Sequence, residues 1–156
     1  MRPSFIVTRV RENPSFTCLA GQVTSVISDT DVGNKGKAST YFWEARLAHD
    51  GRGMELKGVG PTTTGRSLFY FDAAAKKIRA TGINSRGVVN QETFHRQGAK
   101  SWFRHTRQTA PDGNTSEFRS LLTFSDGGKK LTIVINGKNA DGTATKQTNV
   151  WRRIVK

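Results

Sequence analysis

The sequence predicts an all-β protein, an antiparallel up-and-down meander closed into a barrel of about eight to ten strands. Three observations lead to this prediction: turn-forming residues recur along the chain, strand-forming runs lie between them, and the links are short. Long antiparallel strands leave two exposed sheet edges unless the sheet closes. A β-sandwich would need a longer connection between its sheets, and after Tyr41 no link is long enough.

Clusters of Gly, Asn and Asp mark the expected hairpin tips, because these residues adopt the positive φ angles of tight turns. The tips lie at residues 49–53, 84–87, 97–99, 111–114, 125–128 and 139–142. From Asn84 onward they recur at intervals of roughly 12 to 15 residues, which is typical of consecutive antiparallel strands.

Runs rich in β-branched and aromatic residues predict the strands between these tips. They occupy residues 67–71, 77–83, 88–96, 101–109, 115–124, 131–136 and 148–155. Residues 73–77 favour a helix by composition, but a five-residue link between two strands supports at most one turn. We therefore expect a hairpin loop there.

The first forty residues show less regular patterns. Residues 5–10 and 16–27 resemble strands, whereas residues 28–40 form a polar, glycine-containing stretch without periodicity, which suits either a helix or a loose arm. No Pro/Ser-rich linker divides the chain. We expect one domain over residues 1–156, in which residues 1–40 form an arm and the first strands.

The composition is strongly basic. The chain has 25 Lys and Arg residues against 12 Asp and Glu, a net charge of +13. Polyanions, acidic ligands and anionic surfaces are the natural electrostatic partners of such a protein, although a merely solubilising surface has the same composition. The basic residues are dispersed, so the sequence contains no basic tail of the kind that wraps nucleic acid.

Cysteine usage and hydropathy favour a cytoplasmic protein. Cys18 is the single cysteine, which excludes an intramolecular disulfide and a cysteine-based zinc site. The apolar run at the start is broken by Thr8 and Arg9, short of a signal-peptide core. No segment reaches the length of a membrane span.

Ionisable side chains form a predicted band across three neighbouring strands. With each tip at the centre of its hairpin, Glu92 faces Arg104 or His105, and position 105 lies near Arg119 on the next strand; Glu117 completes the band. A slip of one residue moves a strand's side chains to the other face. Two interpretations therefore stay open: exposed ion pairs outside the barrel, or charged groups that contact a ligand inside it.

An inward-facing band would also suit acid–base catalysis. Glu92 or Glu117 would act as the base and His105 as acid or base, while an arginine stabilises negative charge, as in a hydrolase, isomerase or cyclase. Such a trio also arises by chance in a basic, strand-rich protein. The sequence therefore leaves open whether the chain is an enzyme.

The sequence contains no recognisable metal or cofactor motif. His49, His95 and His105 lie on separate segments, and neither His-x-His nor His-Glu-x-x-His occurs. Cys18 lies in an apolar run, which is typical of a buried, inert thiol. We expect neither a metal nor a cofactor.

Aromatic residues are a further candidate for ligand contacts. Most large rings are expected in the core, but Trp43, Tyr70 and Trp102 each combine an apolar body with a hydrogen-bond donor, which suits a ligand wall or a barrel mouth. Alternatively, such rings interleaved with arginines stack the bases of single-stranded nucleic acid. The arginines in question are Arg46, Arg104 and Arg107.

Several segments resemble small bacterial lipocalin-like (calycin-type) domains of unknown function. These segments are residues 69–78 and 82–87, Trp102, residues 112–113 and 124–127, and the ending 150–153. The resemblance covers residues 41–156. It implies an up-and-down β-barrel whose internal cavity binds small apolar or amphipathic molecules, and it does not imply an enzyme.

Together these observations predict a barrel that binds a small, partly apolar and anionic ligand. The expected ligand contacts are Trp43, Tyr70, Glu92, Trp102, Arg104, His105 and Arg119. A barrel enzyme is the first alternative, and nucleic-acid binding through a basic aromatic surface is the second. Ligand identity and oligomeric state do not follow from the sequence.

Overall fold

The computed structural model describes residues 21–28, 30–31, 34–35, 42–48 and 52–153. Its strands, in chain order, are β1 (Gly21–Ser28), β2 (Thr30–Asp31), β3 (Asn34–Lys35), β4 (Phe42–Ala48), β5 (Gly53–Val59), β6 (Thr64–Asp72), β7 (Lys77–Asn84), β8 (Val89–Arg96), β9 (Ser101–Thr109), β10 (Thr115–Ser125), β11 (Lys130–Lys138) and β12 (Ala144–Arg153). Within this part of the chain, ten strands form a closed barrel, and β2 pairs with β3 as a separate ribbon.

The barrel is an up-and-down antiparallel meander, as predicted. Each strand from β4 to β12 pairs with the next one in the sequence, and β1 lies between β12 and β4. The short links 73–76, 97–100 and 126–129 connect the strands at one end of the barrel. No helix in the described ranges is long and apolar enough to cross a membrane.

Three links at the other end share one turn design. The first residue of each link donates its N–H to the carbonyl of the fifth, and a glycine at the fourth position has a positive φ. The bonded pairs are Asn84 with Val88, Ala110 with Asn114 and Asn139 with Thr143, and the glycines are Gly87, Gly113 and Gly142. The Asn-x-x-Gly and Asp-Gly patterns in the sequence therefore mark true hairpin turns.

The predicted strands agree with the observed strands within a few residues. The strand runs in the sequence did not include β4 and β5, which flank the expected tip at 49–53. The expectations for residues 1–20, with Cys18, and for His49 fall outside the described residues, as do most of residues 28–40 and residues 154–155.

Side chains alternate between the interior and the outer surface along each strand. In β10, Ser120, Leu122 and Phe124 are buried, whereas Leu121 and Thr123 are exposed. The buried apolar side chains form one cluster inside the barrel. Its members are Ala45, Met54, Leu56, Phe69, Ala80, Phe94, Trp102, Leu122, Phe124, Leu131 and Ile133. Full burial of a large apolar side chain contributes about 1.5–3 kcal/mol.

Two glycines make room for aromatic rings on the inner face. A Cβ atom at Gly58 would lie 3.3 Å from the ring of Trp43, and one at Gly137 would lie 2.6 Å from Cδ1 of Phe118. Each ring thus packs directly over the backbone of the neighbouring strand. Glycines at such positions allow a sheet to curve strongly enough to close.

Candidate ligand-binding site

A cavity of about 540 Å³ lies inside the barrel. Its two ends differ in chemistry. Near links 97–100 and 126–129 the wall is apolar, formed by Phe94, Trp102, Phe124 and Leu131. Near the opposite turns it carries amides and a hydroxyl, from Asn90, Gln108, Asn139 and Thr145. The two ends of the cavity therefore present different chemical groups.

A charged pair lies between the two ends of the cavity. Oε1 of Glu92 accepts hydrogen bonds from Nη1 of Arg104 at 3.1 Å and from Oγ1 of Thr106 at 3.2 Å. Nη2 of Arg104 donates to Oγ of Ser120 at 3.1 Å. The side chains of Arg104 and Glu92 are only 19% and 12% exposed. Three neighbouring strands therefore hold one enclosed ion pair, whose net charge is zero.

Several buried donors in the cavity wall lack an acceptor. Nε of Arg104 and Nε1 of both Trp43 and Trp151 have no hydrogen-bond acceptor among the described residues. The two indole rings pack together, with centroids 4.5 Å apart. On the acceptor side, Oδ1 of Asn90 likewise has no donor in the described part of the chain. An unpaired buried polar group costs about 1–3 kcal/mol, so these atoms lower the stability of the folded barrel unless they gain partners.

Four of the residues named from the sequence line the cavity. Trp43 and Trp102 contribute to its wall, and Glu92 and Arg104 form its charged pair. These residues come from β4, β8 and β9, and the barrel closure brings them together. Trp102 is almost completely buried, with 5% of its surface exposed.

The other residues named from the sequence lie on the outer surface. Tyr70 is 38% exposed, and Arg119 is also exposed. Nε2 of His105 lies 3.6 Å from Oε2 of Glu117, and these side chains are 41% and 65% exposed. The predicted band is therefore divided between two faces, and His105 and Glu117 do not share a space with Glu92.

The expected pairing of Glu92 was wrong by one or two positions. Glu92 faces Thr106, whereas Arg104 faces Phe94. The N–H of Gln97 donates to the carbonyl of Ser101 at 3.0 Å, so the hairpin is centred on position 99. This centre lies later in the chain than the middle of the expected tip at 97–99. The side chains of Glu92 and Arg104 meet along the diagonal instead. The expected proximity of positions 105 and 119 is confirmed, because these residues face each other.

Sequence reasoning missed several residues of the cavity wall. Thr106 and Ser120 hold the charged pair, and Gln147, Asn149 and Trp151 line the same space from β12. Their signal is alternation: Thr106 has the same parity as Arg104, and the three β12 residues are two positions apart. In a sequence, the inward polar residues Thr106, Ser120, Gln147 and Asn149 look like solvent-facing ones, so they were not predicted to line the cavity.

Among the described residues, no group of three or more His, Cys, Asp or Glu side chains is placed to hold a metal ion. No protein-family model matches the sequence, and no curated protein matches it. The structure of EF1p2_mFAP2b bound to DFHBI is similar over 91% of this chain and 98% of that chain, with 15% identity and a TM-score of 0.43. A likeness of this extent assigns neither a ligand nor a function to the chain.

Proposed function

We propose that this chain binds a small, partly apolar ligand with an anionic or hydrogen-bond-accepting group inside its barrel. The observation that carries the proposal is the interior cavity of about 540 Å³. Cavities of about 300–1,000 Å³ with apolar walls and a few placed polar groups are typical of small-molecule sites.

The apolar end of the cavity suits the body of the ligand. Phe69, Phe94, Leu122 and Ile133 are each less than 10% exposed and line the cavity together. Transfer of a ring or an alkyl chain from water into this space is favourable by about 25 cal/mol per Å² of apolar surface. The hydrophobic effect therefore supplies most of the expected affinity.

The charged pair and the two indoles suit an acceptor group on the ligand. Nη1 and Nη2 of Arg104 each donate one hydrogen bond, to Glu92 and Ser120, and Nε has no described acceptor, so the five-donor guanidinium keeps N–H groups for a ligand. The indole N–H groups of Trp43 and Trp151 are donors too. A carboxylate, sulfonate or phenolate oxygen would pair with such donors, whereas a donor-only ligand would not. We also propose that the protein binds this small molecule in the cytoplasm, and that it uses neither a metal nor a cofactor.

Intrinsic fluorescence provides a direct test, because all three tryptophans line the cavity. The probe is 8-anilinonaphthalene-1-sulfonate, which has an apolar body and one anionic group. We expect saturable 1:1 binding that quenches the tryptophan emission. Leu122→Phe fills part of the cavity and should weaken binding about tenfold or more. Leu121→Phe, at the next position but on the outer face, should leave it unchanged. Equal binding by both variants would rule out the interior site.

A second titration tests the anionic group. Glu92→Gln removes the carboxylate that neutralises Arg104, so affinity for the sulfonate probe should rise about fivefold. Glu117→Gln removes an outer carboxylate and serves as the matched control. The uncharged analogue N-phenyl-1-naphthylamine should bind wild type and Glu92→Gln equally. If the two probes respond alike, Arg104 does not recognise an anion.

A further inference from the structure

Basic side chains dominate the outer face of β9–β12. Within the strands as described, the outward positions carry six cationic residues and one carboxylate, that of Glu117. The cations are Arg107, Arg119, Lys130, Lys138, Lys146 and Arg152. Aspartates 112, 126 and 141 lie in the links at the two ends of these strands. The middle of this face is therefore strongly positive.

Four of these cations form a compact group. Arg119 faces His105 on one side and Asn136 on the other, and Lys146 faces Asn136. Arg107 and Lys138 both face Glu117. Adjacent strands lie about 4.8 Å apart, so the group spans roughly 15 Å across the sheet.

These four cations are exposed and form no ion pair with any described residue. The nearby carboxylate of Glu117 contacts His105 instead. The outer face of β4–β7 is more balanced: its described strands carry five cations and three carboxylates, two of which, Glu44 and Asp72, pair with Arg46 and Arg79. The positive charge on β9–β12 is therefore not neutralised by ion pairs among the described residues.

Rings lie beside the cations. His95 on β8 faces Phe103 on β9, and Phe103 faces Leu121 on β10. His105 lies two positions further along β9 on the same face. Rings flanked by cations on an open sheet are the arrangement that stacks unpaired bases while it holds phosphates.

We infer that the outer face of β8–β12 binds single-stranded nucleic acid. The rings of Phe103 and the neighbouring histidines stack bases, and the group of four cations holds the backbone. A duplex would not present its bases to these rings. An anionic membrane fits less well, because Leu121 is the single large exposed hydrophobic residue on the described part of this face and the ring of Phe103 is half-buried, reachable by a base at its outer side only. This surface lies on the opposite side of the barrel wall from the cavity, and the inference does not depend on cavity binding.

The test is fluorescence anisotropy with the full chain and a labelled single-stranded oligonucleotide of about twelve nucleotides, titrated over a salt series. With four cations on phosphates, the slope of log K against log salt should be about −3. The double variant Arg119→Glu with Lys146→Glu should lose more than tenfold in affinity. Lys57→Glu with Arg66→Glu makes the same charge change on the outer face of β5 and β6 and should lose far less.

A ring variant separates stacking from charge. Phe103→Leu keeps the apolar volume and should weaken binding about fivefold without changing the salt slope. Tyr70→Leu, on β6, is its control. Circular dichroism melts confirm that each variant is folded. The inference is overturned if the two charge-reversal pairs have equal effects, if Phe103→Leu binds like Tyr70→Leu, or if the protein binds phosphatidylserine vesicles but no oligonucleotide.

Discussion

The two faces of β9 and β10 carry the same kinds of residue in very different surroundings. Arg104 is inside, 19% exposed and hydrogen-bonded to Glu92 and Ser120. The next residue, His105, is outside, near the carboxylate of Glu117, whose side chain is 65% exposed. One step along a strand therefore separates an enclosed network from a solvated surface.

The difference shows that the face of the strand on which a charged side chain lies determines its contribution to stability and binding. Inside, Glu92 and Arg104 are shielded from water, so each of their hydrogen bonds is electrostatically stronger than at the surface. Removal of one partner leaves the other buried and unpaired. Outside, water and salt screen a pair such as His105 with Glu117, and such pairs contribute about 0–1 kcal/mol. The inner charges should therefore govern stability and the outer charges should govern association.

Arg104→Met offers the largest expected effect. It leaves the carboxylate of Glu92 enclosed without its cation, and the free energy of unfolding should fall by about 3 kcal/mol. Arg119→Met, the same change on the outer face, should alter it by less than about 0.5 kcal/mol. Urea denaturation measures both. In the double variant Glu92→Gln with Arg104→Met, much of the loss should be recovered, and a purely additive result would contradict the pairing.

Leucines 121 and 122 give an apolar version of the same comparison. Leu122 is 6% exposed and lines the cavity, whereas Leu121 is 40% exposed. Leu122→Ala should cost about 2 kcal/mol, near the low end for buried leucines because its surroundings are already partly open. Leu121→Ala should cost less than about 0.5 kcal/mol. Similar urea midpoints for the two variants would mean that the faces have been assigned the wrong way round.

The smallest effect concerns the exposed turns. The N–H of Asn114 lowers the pKa of Asp112, and the N–H of Thr143 lowers the pKa of Asp141, since both donate to the ionised carboxylate. A carboxyl with a lowered pKa stabilises the folded state above its unfolded pKa, about 3.9, and this stabilisation is lost as pH falls through the folded value. Melting temperatures between about pH 5 and pH 2.5 should therefore fall less steeply for Asp141→Asn. An unchanged acid slope would show that the turn bond contributes nothing.

The sequence predicted the strands of this fold well, because its turns are chemically explicit. Gly113 and Gly142 occupy positions of positive φ, at 84° and 82°, that other residues adopt rarely. Strand β5 was harder to recognise, since glycines at positions 53 and 58 interrupt its strand-like composition. One of these, Gly58, leaves space for the ring of Trp43, which a Cβ atom at position 58 would approach to 3.3 Å.

The site was harder to predict because a strand pattern does not reveal which parity faces inward. In the segment Arg104–Thr106 both parities contain polar side chains, so hydrophobic alternation identifies neither face. The position of the centre of link 97–100 then set the pairing of Glu92. Such a detail depends on backbone hydrogen bonds that residue types alone do not specify.

The way in which β1 closes the barrel has a consequence for how the chain folds. Each pairing from β4 to β12 joins neighbours in sequence, so it forms as a hairpin at little cost in loop entropy. β1 instead joins Val23 to Arg153 at the far end of the sequence, with an irregularity between Thr24 and Val26. Contacts of such high sequence separation form late. The meander should therefore assemble first as an open, curled sheet, and the cavity comes into existence only when β1 completes the wall.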